Sequence, residues 1–126
     1  MMQKRNLTHP ESTNENIRYQ IECEIEQLLI RADYFVHAGN FEHALDCYDK
    51  VLGHKATCHD AWIGIGVVYL KQNRRDDAEV VFQKALLMKP DSVRAAIGMA
   101  LAHYENGNLD EALTMLRLAQ TKAPNG

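Results

Sequence analysis

Small and apolar residues return at a fixed interval of 34 along most of the chain. Trp62 aligns with Leu28 and Ala96, Gly66 with Ala32 and Ala100, and Tyr69 with Phe35 and His103. In the second half of the interval Ala78 aligns with Ala44 and Ala112, Phe82 with Tyr48 and Leu116, and Ala85 with Val51 and Ala119. Pro90 aligns with Pro124, while the first copy has Ala56 there. No other feature constrains the fold as much, because a unit of this length cannot bury its apolar face alone and must stack on its neighbours.

Each unit divides into two helical stretches. Trp62, Ile65, Gly66 and Tyr69 recur at three and four, as do Ala78, Val81, Phe82 and Ala85, which is the spacing of one helix face. Gly39, Asn73 and Gly107 fall between the stretches and suit a turn that needs a left-handed residue. Pro90, Asp91 and Ser92 stop one pair and cap the next. The units are 25–58, 59–92 and 93–126. Before them, residues 1–12 form a polar leader expected to be disordered. Ser12 and Glu15 form a capping box, after which Ile17, Ile21, Ile25, Leu28 and Leu29 keep helical spacing. This predicts one helix from about Thr13 to His37, with residues 13–24 overhanging the first unit by roughly two to three turns.

The middle unit reads W-I-G-I-G-V-V-Y, then A-E-V-V-F, then P, and so resembles the tetratricopeptide repeat, with isoleucine for the usual leucine. The resemblance covers everything except the first 24 residues. It implies an all-α solenoid of three antiparallel helix pairs, a right-handed superhelical segment carrying an N-terminal helical extension.

Other chemistries find little footing. Gly64 and Gly66 could open a dinucleotide-binding G-x-G-x-x-G, but Tyr69 stands where the third glycine belongs. No G-x-S-x-G, H-E-x-x-H or phosphate loop occurs. His103 takes the aromatic slot of the third unit and has no carboxylate beside it in sequence, so it reads as a core histidine. His43, Cys47, His54, Cys58 and His59 lack the paired spacing that zinc requires. Three cysteines, Cys23, Cys47 and Cys58, without a C-x-x-C suit reduced thiols. A net charge of −3 with no basic stripe disfavours nucleic acid. The longest uncharged run, Ala61 to Leu70, is half of what a membrane span needs, and no signal peptide opens the chain, so a cytoplasmic location is expected. Arg74, Arg75, Asp76 and Asp77 read as a helix start, and Glu22, Glu24 and Glu26 as a solvated face.

The first helix of the middle unit carries a second apolar line, Ile63, Val67 and Leu70, echoed by Ile97, Leu101 and Tyr104 and, less cleanly, by Leu29, Asp33 and Val36. A helix apolar on all sides needs cover on all sides. In the family that the chain resembles, these positions line a concave face that holds peptides. The resemblance thus implies a groove of Leu29, Asp33, Val36, Ile63, Gly64, Val67, Leu70, Arg94, Ile97, Gly98, Leu101 and Tyr104, with Gly64 and Gly98 as bare floor. The leader helix, a second copy or a following segment could fill it instead. Co-chaperones of the family clamp a C-terminal carboxylate with Lys, Asn and Arg. At the matching positions stand Leu29, Asp33, Gly64, Arg94 and Gly98, of which only Arg94 fits, so an apolar segment is the expected ligand. The ending NLDEALTMLRLAQ and the overall plan are also similar to the chaperones of bacterial type III secretion. Leu109, Leu113, Met115, Leu116 and Leu118 leave the last helix without a polar outer face, which suggests either a longer array or a dimer.

These readings converge on a non-catalytic binding module without cofactor or metal, whose partner is a protein or peptide with an apolar segment. The competing reading is a homo-oligomerising unit, joined through the last repeat or the groove. Leu101→Arg is expected to abolish partner capture, and Trp62→Ala, on the packing stripe, to cost about 3–5 kcal/mol.

Overall fold

The computed structural model describes residues 10–122. Among them are six α-helices and no strand: α1 (Pro10–His37), α2 (Phe41–His54), α3 (His59–Lys71), α4 (Arg75–Met88), α5 (Val93–Glu105) and α6 (Leu109–Lys122). They pair as α1–α2, α3–α4 and α5–α6, three helical hairpins stacked in chain order.

The same backbone device closes every hairpin. Gly39, Asn73 and Gly107 have φ of +79°, +62° and +83°, the left-handed region open to glycine and tolerated by asparagine. Around each, one N–H reaches back three residues and the next reaches back five: Gly39 to Val36 and Asn40 to Phe35, Asn73 to Leu70 and Arg74 to Tyr69, Gly107 to Tyr104 and Asn108 to His103. This pair of bonds satisfies helix-end carbonyls that would otherwise have no partner. At the start of α5, Ser92 Oγ accepts the Ala95 N–H at 3.1 Å.

α1 opens at Pro10, ahead of the expected Thr13, so its overhang on the first repeat is about four turns rather than two to three. Proline is well suited to a first helical turn, having a fixed φ and no N–H to satisfy. Ser12 therefore lies inside the helix. The leader expected to be disordered lies, over residues 1–9, outside the described residues, as does Pro124.

Two apolar clusters form the core. The first joins α1, α2, α3 and α4 through Leu28, Ala32, Tyr48, Val51, Ile65, Val68 and Val81, and the second joins α3, α4 and α5 around Phe82. Phe82 is the largest fully buried side chain, with its ring filling the space left by both Gly66 and Gly98. Trp62, by contrast, is only half-buried. Its Nε1 donates to the Ala56 carbonyl at 2.9 Å, and Lys84 Nζ lies 4.8 Å from its ring centroid. The loss expected for Trp62→Ala therefore falls toward about 2 kcal/mol, and the full core value belongs to Phe82.

The stacking also sets curvature. α1 touches α3 and α3 touches α5, whereas α2, α4 and α6 do not touch one another. First helices that crowd together while second helices fan apart put the first helices on the inside of a curve.

Candidate functional site: the inner face of the first helices

The inner face is built from α1, α3 and α5, and the predicted line divides along it. In α5, Ile97, Leu101 and Tyr104 are exposed by 41%, 47% and 64%. They lie on one face at i, i+4 and i+7. Val67 and Leu70 of α3 are half-buried and pack on the second core cluster, and Leu29 and Val36 of α1 are half-buried on the first. Ile63 departs from the expectation: at 4% exposure it is a core residue, packed with Phe82, Ala95 and Met99 because α5 lies against it. The same position in α5, Ile97, has no further first helix among the described residues to cover it. α1 does not touch α5, so the described part of the leader helix does not fill this stretch.

Gly64 and Gly98 are not open floor. A side chain on Gly98 would collide with the Phe82 ring, and one on Gly64 with the tip of Tyr48, ring and hydroxyl alike. Each glycine admits an aromatic ring from the second helix of the preceding repeat. Gly66, expected at a packing contact, meets Phe82 from its own repeat.

Polar groups flank the line at Asp33 of α1 and at the N-terminal ends of α3 and α5. Asp33 is exposed, and Asp60 Oδ1 accepts from Arg94 at 2.8 Å, a pair that bridges α3 and α5. Arg94, the one residue fitting a carboxylate clamp, is thereby already engaged. Burial pushes the Tyr48 phenol above its usual range, and the charge of Asp33 adds to this, so the hydroxyl stays protonated near these acids. Neither Tyr48, aligned with Phe82 as a packing position, nor Asp60 is among the groove residues expected from sequence. Asp60 and Arg94 stand 34 apart with opposite charge, which is a signal that was there to be read.

Elsewhere the chemistry is sparse. Among the described residues no three His, Cys, Asp or Glu side chains converge to hold a metal ion, and Cys23, Cys47 and Cys58 are free thiols. His103 does have a carboxylate beside it in space, though none in sequence: Glu79 Oε2 of α4 lies 2.8 Å from its Nδ1, off the line of a well-formed hydrogen bond. No described helix is long and apolar enough to cross a membrane.

The family model described as tetratricopeptide repeat matches residues 30–86 and again 64–126. A TPR repeat-containing protein of Methanocaldococcus jannaschii is 27% identical over 100 residues, 79% of this chain but only 18% of the relative's own length. Among solved structures, the second TPR of Spaghetti (RPAP3), bound to the HSP90 peptide SRMEEVD, superposes with a TM-score of 0.78 at 19% identity, covering 92% of this chain and all of the other. The type III secretion chaperone SycD of Yersinia enterocolitica, in complex with a peptide of the translocator YopD, gives a TM-score of 0.74 at 23% identity, covering 79% of this chain and 76% of that one. At such identities the two superpositions establish the shared fold.

Proposed function

The chain belongs to the tetratricopeptide repeat family, and from that premise we propose that it is a non-catalytic protein-interaction module, adaptor or chaperone-like, holding an apolar peptide or helix against its inner face in the cytoplasm. The observation that carries this reading is the uncovered line Ile97, Leu101 and Tyr104. An exposed apolar stripe on a curved face, flanked by the half-buried Val67 and Leu70, has the character of a groove that takes the apolar side of a helix. Asp33 in the first repeat, with the Asp60–Arg94 pair at the N-terminal ends of α3 and α5, suits a polar flank of the same ligand.

Two neighbours in fold, the Spaghetti domain and SycD, are described with bound peptides, which supports the general mode. The ligand chemistry differs here. A carboxylate-terminated peptide such as SRMEEVD has no clamp to meet, since Leu29, Asp33, Gly64 and Gly98 offer no cation and Arg94 is paired. The chaperone-like version of the reading follows the SycD precedent, a chaperone described with a translocator peptide.

Titration of labelled peptides by fluorescence anisotropy tests this. An amphipathic helical peptide with leucine and phenylalanine on one face binds the wild type, while SRMEEVD does not. Leu101→Arg weakens the apolar peptide by at least about tenfold, roughly 1.4 kcal/mol, with unchanged far-UV circular dichroism. Binding of SRMEEVD alone, or an unfolded Leu101→Arg, overturns the reading.

A further inference from the structure

The outer faces of α1 and α6 complement each other. At each internal junction a ring from a second helix enters the space of a glycine on the next first helix: Tyr48 meets Gly64, and Phe82 meets Gly98. One period on, the residue equivalent to Tyr48 and Phe82 is Leu116 of α6. It is 47% exposed, and Leu113 one turn before it is 50% exposed, with no described residue covering either. At the opposite end, the positions that hold the half-buried Gly64 and the buried Val68 in α3, and the buried Gly98 and Ala102 in α5, are held in α1 by Ile30 and Tyr34, exposed by 69% and 67%.

We propose that a second copy of this chain docks the outer face of its α1 on the outer face of α6, continuing the stack end to end. Carrying the internal register across places Leu116 opposite Ile30. Along antiparallel helices, Leu113 then falls opposite Tyr34, and Gln120 opposite Gln27. Apolar positions meet apolar ones and Gln120 meets Gln27, while the register that sets Gln83 near Met99 inside the chain brings the exposed Arg117 beside Arg31, so the long stems of both must turn their charges out to solvent.

Volume agrees as well: a large ring faces a glycine inside the chain, whereas a leucine without a ring faces an isoleucine at the new junction. Tyr34 is already oriented, edge-on to Phe35 with ring centroids 5.7 Å apart. Arg31, on the same stripe, has a stem long enough to carry its guanidinium out to solvent. Such a contact is heterologous, since each copy uses one face as donor and the other as acceptor, so it grows into an open chain rather than stopping at a dimer. It is independent of the groove reading, because neither face includes a groove residue.

Sedimentation velocity with two variants decides the matter. Wild-type chain sediments faster as concentration rises, with no plateau at dimer. Ile30→Asp and Leu116→Asp each stay monomeric alone, and mixing them restores one sound junction, giving a one-to-one dimer that grows no further. Tyr34→Asp replaces Ile30→Asp should circular dichroism show the latter misfolded, with the same expected pattern. A wild-type monomer at the highest attainable concentration overturns the proposal. So does self-association that Ile30→Asp leaves intact, which would mean a symmetric contact through α6, and so does a variant mixture that stays monomeric.

Discussion

Phe82 shows most plainly how single residues hold this molecule. Its ring fills the space left by two positions that have no side chain, Gly66 and Gly98, and it is itself fully buried. Alanine favours a helix over glycine by about 1 kcal/mol, so Gly98→Ala judged on helix propensity alone is stabilising. Overpacking against a trapped ring outweighs that gain, and chemical denaturation will show a net loss of about 1–3 kcal/mol. Gly64→Ala meets a buried ring as well, the tip of Tyr48, and loses stability by a similar amount. His59 supplies a pH dependence of defined sign. Its Nε2 is buried without a partner, and burial, with the charge of Lys89 beside it, holds the ring below its ordinary value of about 6.5. Below that pH the unfolded chain takes up a proton that the folded chain refuses, so stability falls as pH drops through about 6.5. Urea midpoints at neutral and mildly acidic pH will show the drop, and His59→Asn will lessen it.

At the scale of helices, terminal chemistry decides where each element begins and ends. The three left-handed residues could be read directly from sequence, because Gly39, Asn73 and Gly107 are the residue types that such turns require and they recur once per repeat. The start of α1 could not. An S-x-x-E pattern at Ser12 looks like a cap wherever it occurs, but Pro10 is equally able to open a helix, and propensity does not rank the two. Ser92 is a cap in fact as well as in pattern, and it is buried, so Ser92→Ala lowers stability by about 1 kcal/mol in thermal unfolding. The Asp60–Arg94 bridge between α3 and α5 is a different case. Both side chains are more than half exposed, and Arg94→Ala changes stability by less than about 1 kcal/mol.

Across the whole molecule, the period of 34 foretold the hairpins, their order and the all-α class, because stacking is the only way for such units to bury their faces. The inner face was only partly legible. A second apolar line on a helix says that something covers it, not what: for Ile63 the cover is α5, the next helix of the same chain, and for Ile97 no described helix plays that part. The glycines misled for a related reason. Their partners, Tyr48 and Phe82, sit on the preceding helix, and a repeat pattern aligns each unit with its copies without pairing residues between neighbours. The central claim, an apolar ligand along α5 and α3, is most directly tested by mapping backbone amide chemical shifts while an amphipathic apolar peptide is added. Shifts gathered on the inner face, from Val67 and Leu70 through Ile97, Leu101 and Tyr104, are the predicted result. Shifts confined to α2, α4 and α6, or none at saturating peptide, would contradict it.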